Sequence, residues 1–202
     1  STEIGKYTVW GGVGGSENER DTDFRDTGEN ETTRYDLGFN YRFSQRAYLG
    51  VMLSRGDSEL DFDNSRSGYD MESLNVSLIS GFRGARWFVE GALSYSDLDY
   101  DELKRAFDLG PVLQRTERAD TNGETYGLLI NMGYNLLDSY RYRVGPVLGY
   151  EYVNVDLDGY TEKGSTATAL VVDDLKTITS VWNAGLFGDM QLGFCDCTLY
   201  SE

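Results

Sequence analysis

The side chains of this sequence that could do chemistry are carboxylates, guanidinium groups, a few serines and two cysteines; histidine is absent. Without an imidazole there is no Ser-His-Asp or Cys-His nucleophile and no imidazole-bound zinc. Gly56-Asp57-Ser58-Glu59 has the Gly-Asp-Ser order of a hydrolase nucleophile block, but its fourth residue differs and no general base accompanies it. Arg55-Gly56-Asp57, in the order of an integrin-binding tripeptide, is a chance match in a polar loop. Asp57, Glu59, Asp61 and Asp63 alternate. A calcium loop of the EF-hand type would need Gly where Phe62 stands and Glu where Gly68 stands. Two readings remain, the wet face of a strand or carboxylates sharing a divalent cation. Gly11-Gly12-Val13-Gly14-Gly15 precedes no helix-forming segment and is no phosphate cradle. Cys195 and Cys197 flank Asp196 at what reads as a short turn; a disulfide across one residue is strained and a metal needs more ligands. No catalytic, metal-binding or cofactor-binding residue is assigned, and no cofactor is expected.

The elements that carry these residues follow from composition and period. The chain has 202 residues, enough for one domain with a sizeable core. Its 34 acidic against 18 basic residues give a net charge of −16, which argues against nucleic acid as a partner. No apolar run approaches the roughly 20 residues of a membrane helix; Ala169-Leu170-Val171-Val172 is one of the longest. The first residues, Ser1 to Lys6, lack the apolar centre of a signal peptide. Twenty-four Gly and 15 Tyr against two Pro suit a sheet protein.

The period is two nearly throughout. In residues 33–43, Tyr35, Leu37, Phe39, Tyr41 and Phe43 share one face, and Arg34, Asp36, Gly38, Asn40 and Arg42 the other. The pattern recurs around Tyr7–Gly14, Leu49–Ser54, Ser73–Phe82, Trp87–Ser96, Tyr126–Leu136, Arg141–Tyr152 and Trp182–Leu192, which predicts eight strands.

Three features place the apolar faces in lipid rather than in the core of a soluble sandwich. Several strands run about ten residues or more, against the usual 5–6. Tyr, Phe and Trp rim the apolar faces, among them Tyr35, Phe43, Trp87, Tyr95, Tyr126, Tyr142, Tyr152 and Trp182. Those faces carry no charge, whereas the opposite ones hold Arg34, Asp36, Arg42, Glu90, Arg141, Arg143, Glu151 and Asp189. This predicts an all-β, antiparallel, up-and-down transmembrane barrel with these eight charges in a polar lumen. Ion pairing that only stabilises the wall and contact with a chain in the lumen are both open for them. Connections alternate between short and long. Four long segments, 16–32, 54–70, 97–124 and 154–174, hold 25 of the 34 acidic and nine of the 18 basic residues, leaving nine of each sign elsewhere. The whole net charge therefore sits on one rim.

The stretches Leu98-Asp99-Tyr100-Asp101, Arg105-Ala106-Phe107-Asp108-Leu109-Gly110 and Thr121-Asn122-Gly123 resemble the translocator barrel of autotransporters. So do Pro146, Tyr150 to Val155, the block Asp158-Gly159-Tyr160-Thr161-Glu162-Lys163-Gly164 and Thr168-Ala169-Leu170. The subgroup is that of the esterase autotransporters, whose passenger is a lipase-like hydrolase of the Gly-Asp-Ser-Leu class. The resemblance implies a 12-stranded outer-membrane barrel, long loops extracellular and short turns periplasmic, that exports and anchors a passenger. It also implies partners: membrane lipid and lipopolysaccharide, the chain's own passenger and a linker helix in the pore, and the barrel-assembly machinery. Against that pattern the sequence holds about eight strands and part of a ninth, Thr198 to Glu202, with no terminal strand ending in an aromatic residue. Residues 1–202 are thus expected to be a translocator segment without its C-terminal strands and its passenger. The alternative is a self-contained small barrel acting as adhesin or porin through its acidic loops.

Overall fold

The computed structural model describes residues 2–4, 6–22, 25–62, 66–109, 113–138, 142–164, 167–192 and 195–201. Within them the strands are β1 (Thr2–Ile4), β2 (Tyr7–Thr22), β3 (Arg25–Ser44), β4 (Ala47–Phe62), β5 (Gly68–Arg83), β6 (Trp87–Leu109), β7 (Leu113–Tyr134), β8 (Leu137–Asp138), β9 (Tyr142–Leu157), β10 (Tyr160–Thr161), β11 (Val171–Val172), β12 (Leu175–Leu192) and β13 (Cys195–Ser201). Spatial order follows chain order, β1-β2-β3-β4-β5-β6-β7-β9-β12-β13, every pair antiparallel, with β8 on β9 and β10–β11 a separate two-stranded piece. This is the predicted up-and-down meander. Among the described residues no ladder joins β1 to β13, so the sheet stands open.

The eight long strands are the eight read from the period, but they are longer, from 16 residues in β4 to 23 in β6. Three of the four long connections are strand for most of their length. The β2–β3, β4–β5 and β6–β7 hairpins pair up to Thr22–Arg25, Asp61–Gly68 and Leu109–Leu113. Alternation continues there with acidic side chains in place of apolar ones, as for Asp57, Glu59 and Asp61, so the backbone keeps its ladder after the side chains change solvent. Only 158–174 is largely irregular. The cysteine reading is refined: Cys195 is the first residue of β13, opposite Leu192 at the end of β12, and Cys197 lies two residues into the strand, opposite Met190.

The two faces are inverted relative to a soluble protein. Leu37, Trp182 and Val13 are 57%, 68% and 75% exposed, and the same holds for the apolar face of every long strand. The most buried residues are small or polar, among them Ser54, Ser77, Thr121 and Asn135. Aromatic rings border the apolar face in two rows. Phe43 and Tyr35, Trp87 and Tyr95, and Tyr134 and Tyr126 each stand eight residues apart on β3, β6 and β7. Eight residues span about 26 Å along a strand, the height of a hydrocarbon core before tilt is allowed for. Rings in these rows touch across strands, Phe82 with Trp87 at 5.0 Å and Tyr95 with Tyr126 at 5.2 Å between centroids.

On the concave face, aromatic side chains lie flat over glycines of the next strand. A Cβ at Gly38 would overlap the indole of Trp10, and one at Gly81 the ring of Tyr48. The glycines are slots for these rings, which bury apolar surface without narrowing the lumen by a second side chain.

Candidate functional site on the concave face

The register brings the predicted charges to one face. Arg34, Asp36 and Arg42 on β3, Glu90 on β6, and Arg143 and Glu151 on β9 share the concave side with Gly56, Ser54, Tyr48, Asn131 and Leu129, their partners in neighbouring strands. The Arg34 Nε donates to Asp36 Oδ2 at 3.1 Å. The other carboxylate oxygen of Asp36 is buried without a partner, as are Asn40 Oδ1 and Ser54 Oγ close by on the same wall. Arg42 and Glu90 line one recess near the short turns, together with Tyr48, Arg46 and Arg83. Arg143 stands opposite Asp189 in the β9–β12 ladder. The side chain of Asp189 and the whole of Arg141 lie outside the described residues.

The concave face is less uniformly polar than the sequence pattern led one to expect. Trp10, Leu129 and Val181 point the same way as the charges, with Glu151 between Leu129 and Val181 in register. They were missed because a single apolar residue among Gly, Asn and Ser does not break the period.

Above the upper aromatic row a second constellation appears. A bulge at Asp101 and Glu102 puts one extra residue of β6 between the pairs Tyr100–Thr121 and Leu103–Ala119. Because side chains alternate, this turns Arg105 from the outer to the concave face, directly opposite Glu117. Arg105 then donates to both oxygens of Glu162, Nε to Oε1 at 2.7 Å and Nη2 to Oε2 at 2.6 Å, and Nη2 also to the Thr168 carbonyl at 2.9 Å. The Leu170 amide donates to Glu162 Oε2 at 2.8 Å. Glu117, 1% exposed, accepts the hydroxyl of Thr168. Gly164 packs onto that carboxylate so closely that a Cβ would collide with it. Hydrogen bonding by Arg105 holds the Glu162 carboxyl below the usual carboxylate range, against the cost of burial and with help from the Leu170 amide. Segment 158–174 is thereby clasped to the β6–β7 hairpin. The one signal in the sequence was that Asp158–Gly164 carries the family resemblance most specifically.

On the outer face of the β4–β5 hairpin, Arg55 bridges Asp57 at 3.6 Å and Glu72 at 2.8 Å. Asp63 lies outside the described residues, and among those described no cluster of His, Cys, Asp or Glu converges to hold a metal ion.

An uncharged apolar exterior between two aromatic rows, backed by a charged concave face, defines a transmembrane β-barrel protein of the outer-membrane type. The comparisons with known proteins are narrower. Residues 9–200 match the family described as "Autotransporter beta-domain". The chain is 34% identical to Esterase EstA of Pseudomonas aeruginosa over 96% of its own length and 30% of the relative's. It is 26% identical to Lipase 1 of Photorhabdus luminescens over 95% and 27%. The translocator domain of the autotransporter NalP from Neisseria meningitidis superposes with a TM-score of 0.70 at 18% identity, covering 92% of this chain and 62% of that one. The chain belongs to the autotransporter β-domain family; it is a translocator domain of the bacterial outer membrane. It spans about 30% of the length of the EstA relatives it matches.

Proposed function

We propose that this domain exports and anchors a passenger, a lipase-like esterase, through its concave face, with the long hairpins outside the cell and the short turns in the periplasm. The observation that carries this is the gathering of Arg34, Asp36, Arg42, Glu90, Arg143 and Glu151 on the concave side of a sheet whose other face is uncharged between the aromatic rows. Charges of both signs, with carboxylate and amide oxygens left unpaired at Asp36 and Asn40, suit a wall that meets polar groups of a passing or resident chain. The names of the relatives support an esterase or lipase passenger. The sequence pattern adds Arg141 and Asp189 to this set. A linker helix in the lumen, lipopolysaccharide around the acidic hairpins and the barrel-assembly machinery are the partners this reading adds.

The role is physical rather than catalytic: the wall offers a water-filled, charge-balanced path. The test is charge reversal. Arg34→Glu with Arg143→Glu is expected to lower passenger display several-fold at equal barrel abundance. Unchanged display would remove the pair from the export path.

A further inference from the structure

We propose that segment 158–174 is a fixed guard on the free edge of β7, which keeps an extended exported chain from pairing there. The proposal rests on the export reading above. Strand β9 reaches β7 only as far as the pair Gly123–Leu157, whereas β7 continues outward with β6 alone from Asn122 to Leu113. That stretch would present a row of unpaired amide and carbonyl groups beside the mouth of the barrel. An edge of this kind captures extended chains through backbone hydrogen bonds. On the export reading, an extended chain would pass beside that edge.

Segment 158–174 covers the inner part of that edge, from Asn122 to Arg118. The Asp158 amide donates to the Asn122 carbonyl at 2.9 Å, and the Lys163 amide to the Arg118 carbonyl at 2.6 Å, forming an antiparallel bridge between Arg118 and Lys163. The Thr121 hydroxyl donates to the Asp158 carbonyl at 2.6 Å. The contacts at Asn122 and Arg118 use backbone groups that a captured strand would use. The segment is then fastened from the concave side by the Arg105–Glu162 pair and by Glu117 with Thr168. A gate that opened for every exported chain would have to break a two-point charge-assisted pair at 5% side-chain exposure of Glu162 each time. The fastening is that of a permanent part of the wall.

The experiment uses the full-length gene product that contains this chain, in its outer membrane, with Cys195→Ser and Cys197→Ser. A photo-reactive residue replaces Asp120, whose exposed pair with Lys163 contributes little. One variant releases the guard, Arg105→Ala with Glu162→Ala; another locks it with Arg118→Cys and Lys163→Cys, closed by an added oxidant. The parent is expected to display its passenger and to crosslink within the barrel but not to the passenger. Release is expected to produce passenger crosslinks that the parent lacks and to lower display several-fold at equal barrel abundance. The locked form is expected to display like the parent. Blocked display in the locked form would make the segment a gate and overturn the proposal. So would an assembled release variant without passenger crosslinks. If the release variant fails to assemble, the locked form alone decides. A parent that displays no passenger would instead sink the export reading.

Discussion

Arg105 and Glu162, 57 positions apart, meet as a bidentate ion pair because a bulge one turn of the pleat below Arg105 rotates it onto the concave face. Glu162 is nearly buried, whereas the Arg105 side chain is 38% exposed. Losing one partner of a buried pair costs about 3–5 kcal/mol. Solvent access to Arg105 lowers the expectation to about 2 kcal/mol, roughly 30-fold in a local opening equilibrium. Glu162→Ala is therefore expected to speed amide hydrogen exchange in 158–174 by about that factor, leaving β3 and β4 unchanged. Equal slowing or speeding across the sheet would contradict a local clasp.

The same pair sets a pH dependence. The Glu162 carboxyl is held below its ordinary value, mainly by the hydrogen bond from Arg105. A depressed carboxylate adds stability that is fully present above the unfolded value and lost as pH falls through the folded one. Protection of 158–174 should thus be flat from pH 8 to about 5 and decline below roughly pH 4.5. Glu162→Gln should abolish that decline. A loss of protection on raising the pH would have the wrong sign.

The sidedness of the sheet gives a paired prediction. Phe39 lies midway between the aromatic rows on the lipid face, and its chain neighbour Asn40 faces the lumen. Phe39→Arg should cost about 2–4 kcal/mol of bilayer stability. Asn40→Arg should cost much less, as read by the folded fraction in lipid vesicles. Equal costs would mean that the faces are not so divided.

Much of this was legible in the sequence. Strict alternation from Tyr35 to Phe43 named both faces of β3, and the charge-free apolar side named its solvent. The hairpins were legible only in part: Asp57, Glu59 and Asp61 keep the period and read as the wet face of a strand, as β4 has it, whereas the polar stretches 16–32 and 97–124 read as loop. The clasp was invisible for a different reason. Parity counted from Trp87 through Tyr95 puts Arg105 on the outer face, and nothing local to Asp101-Glu102 announces the extra residue that reverses it. Trp10 was unassigned because an indole on a polar face makes sense only once Gly38 lies beneath it.

The slot beneath Tyr48 is testable as well. Gly81→Val would push the ring off β5, since a Cβ there overlaps it. The expected outcome is a lower yield of folded barrel, by heat-modifiable mobility, that Tyr48→Ala partly restores in the double variant. A Gly81→Val barrel of normal yield would show that the slot is dispensable.

The most direct test of the lumen path places a photo-reactive residue at Asp36 or at its neighbour Leu37 and activates it during export in the full-length protein. The two positions differ only in face, concave for Asp36 and outward for Leu37. Passenger crosslinks from position 36 and lipid or no crosslinks from position 37 are the predicted result. Passenger crosslinks from position 37, or from neither position while the passenger still reaches the surface, would contradict export along this wall.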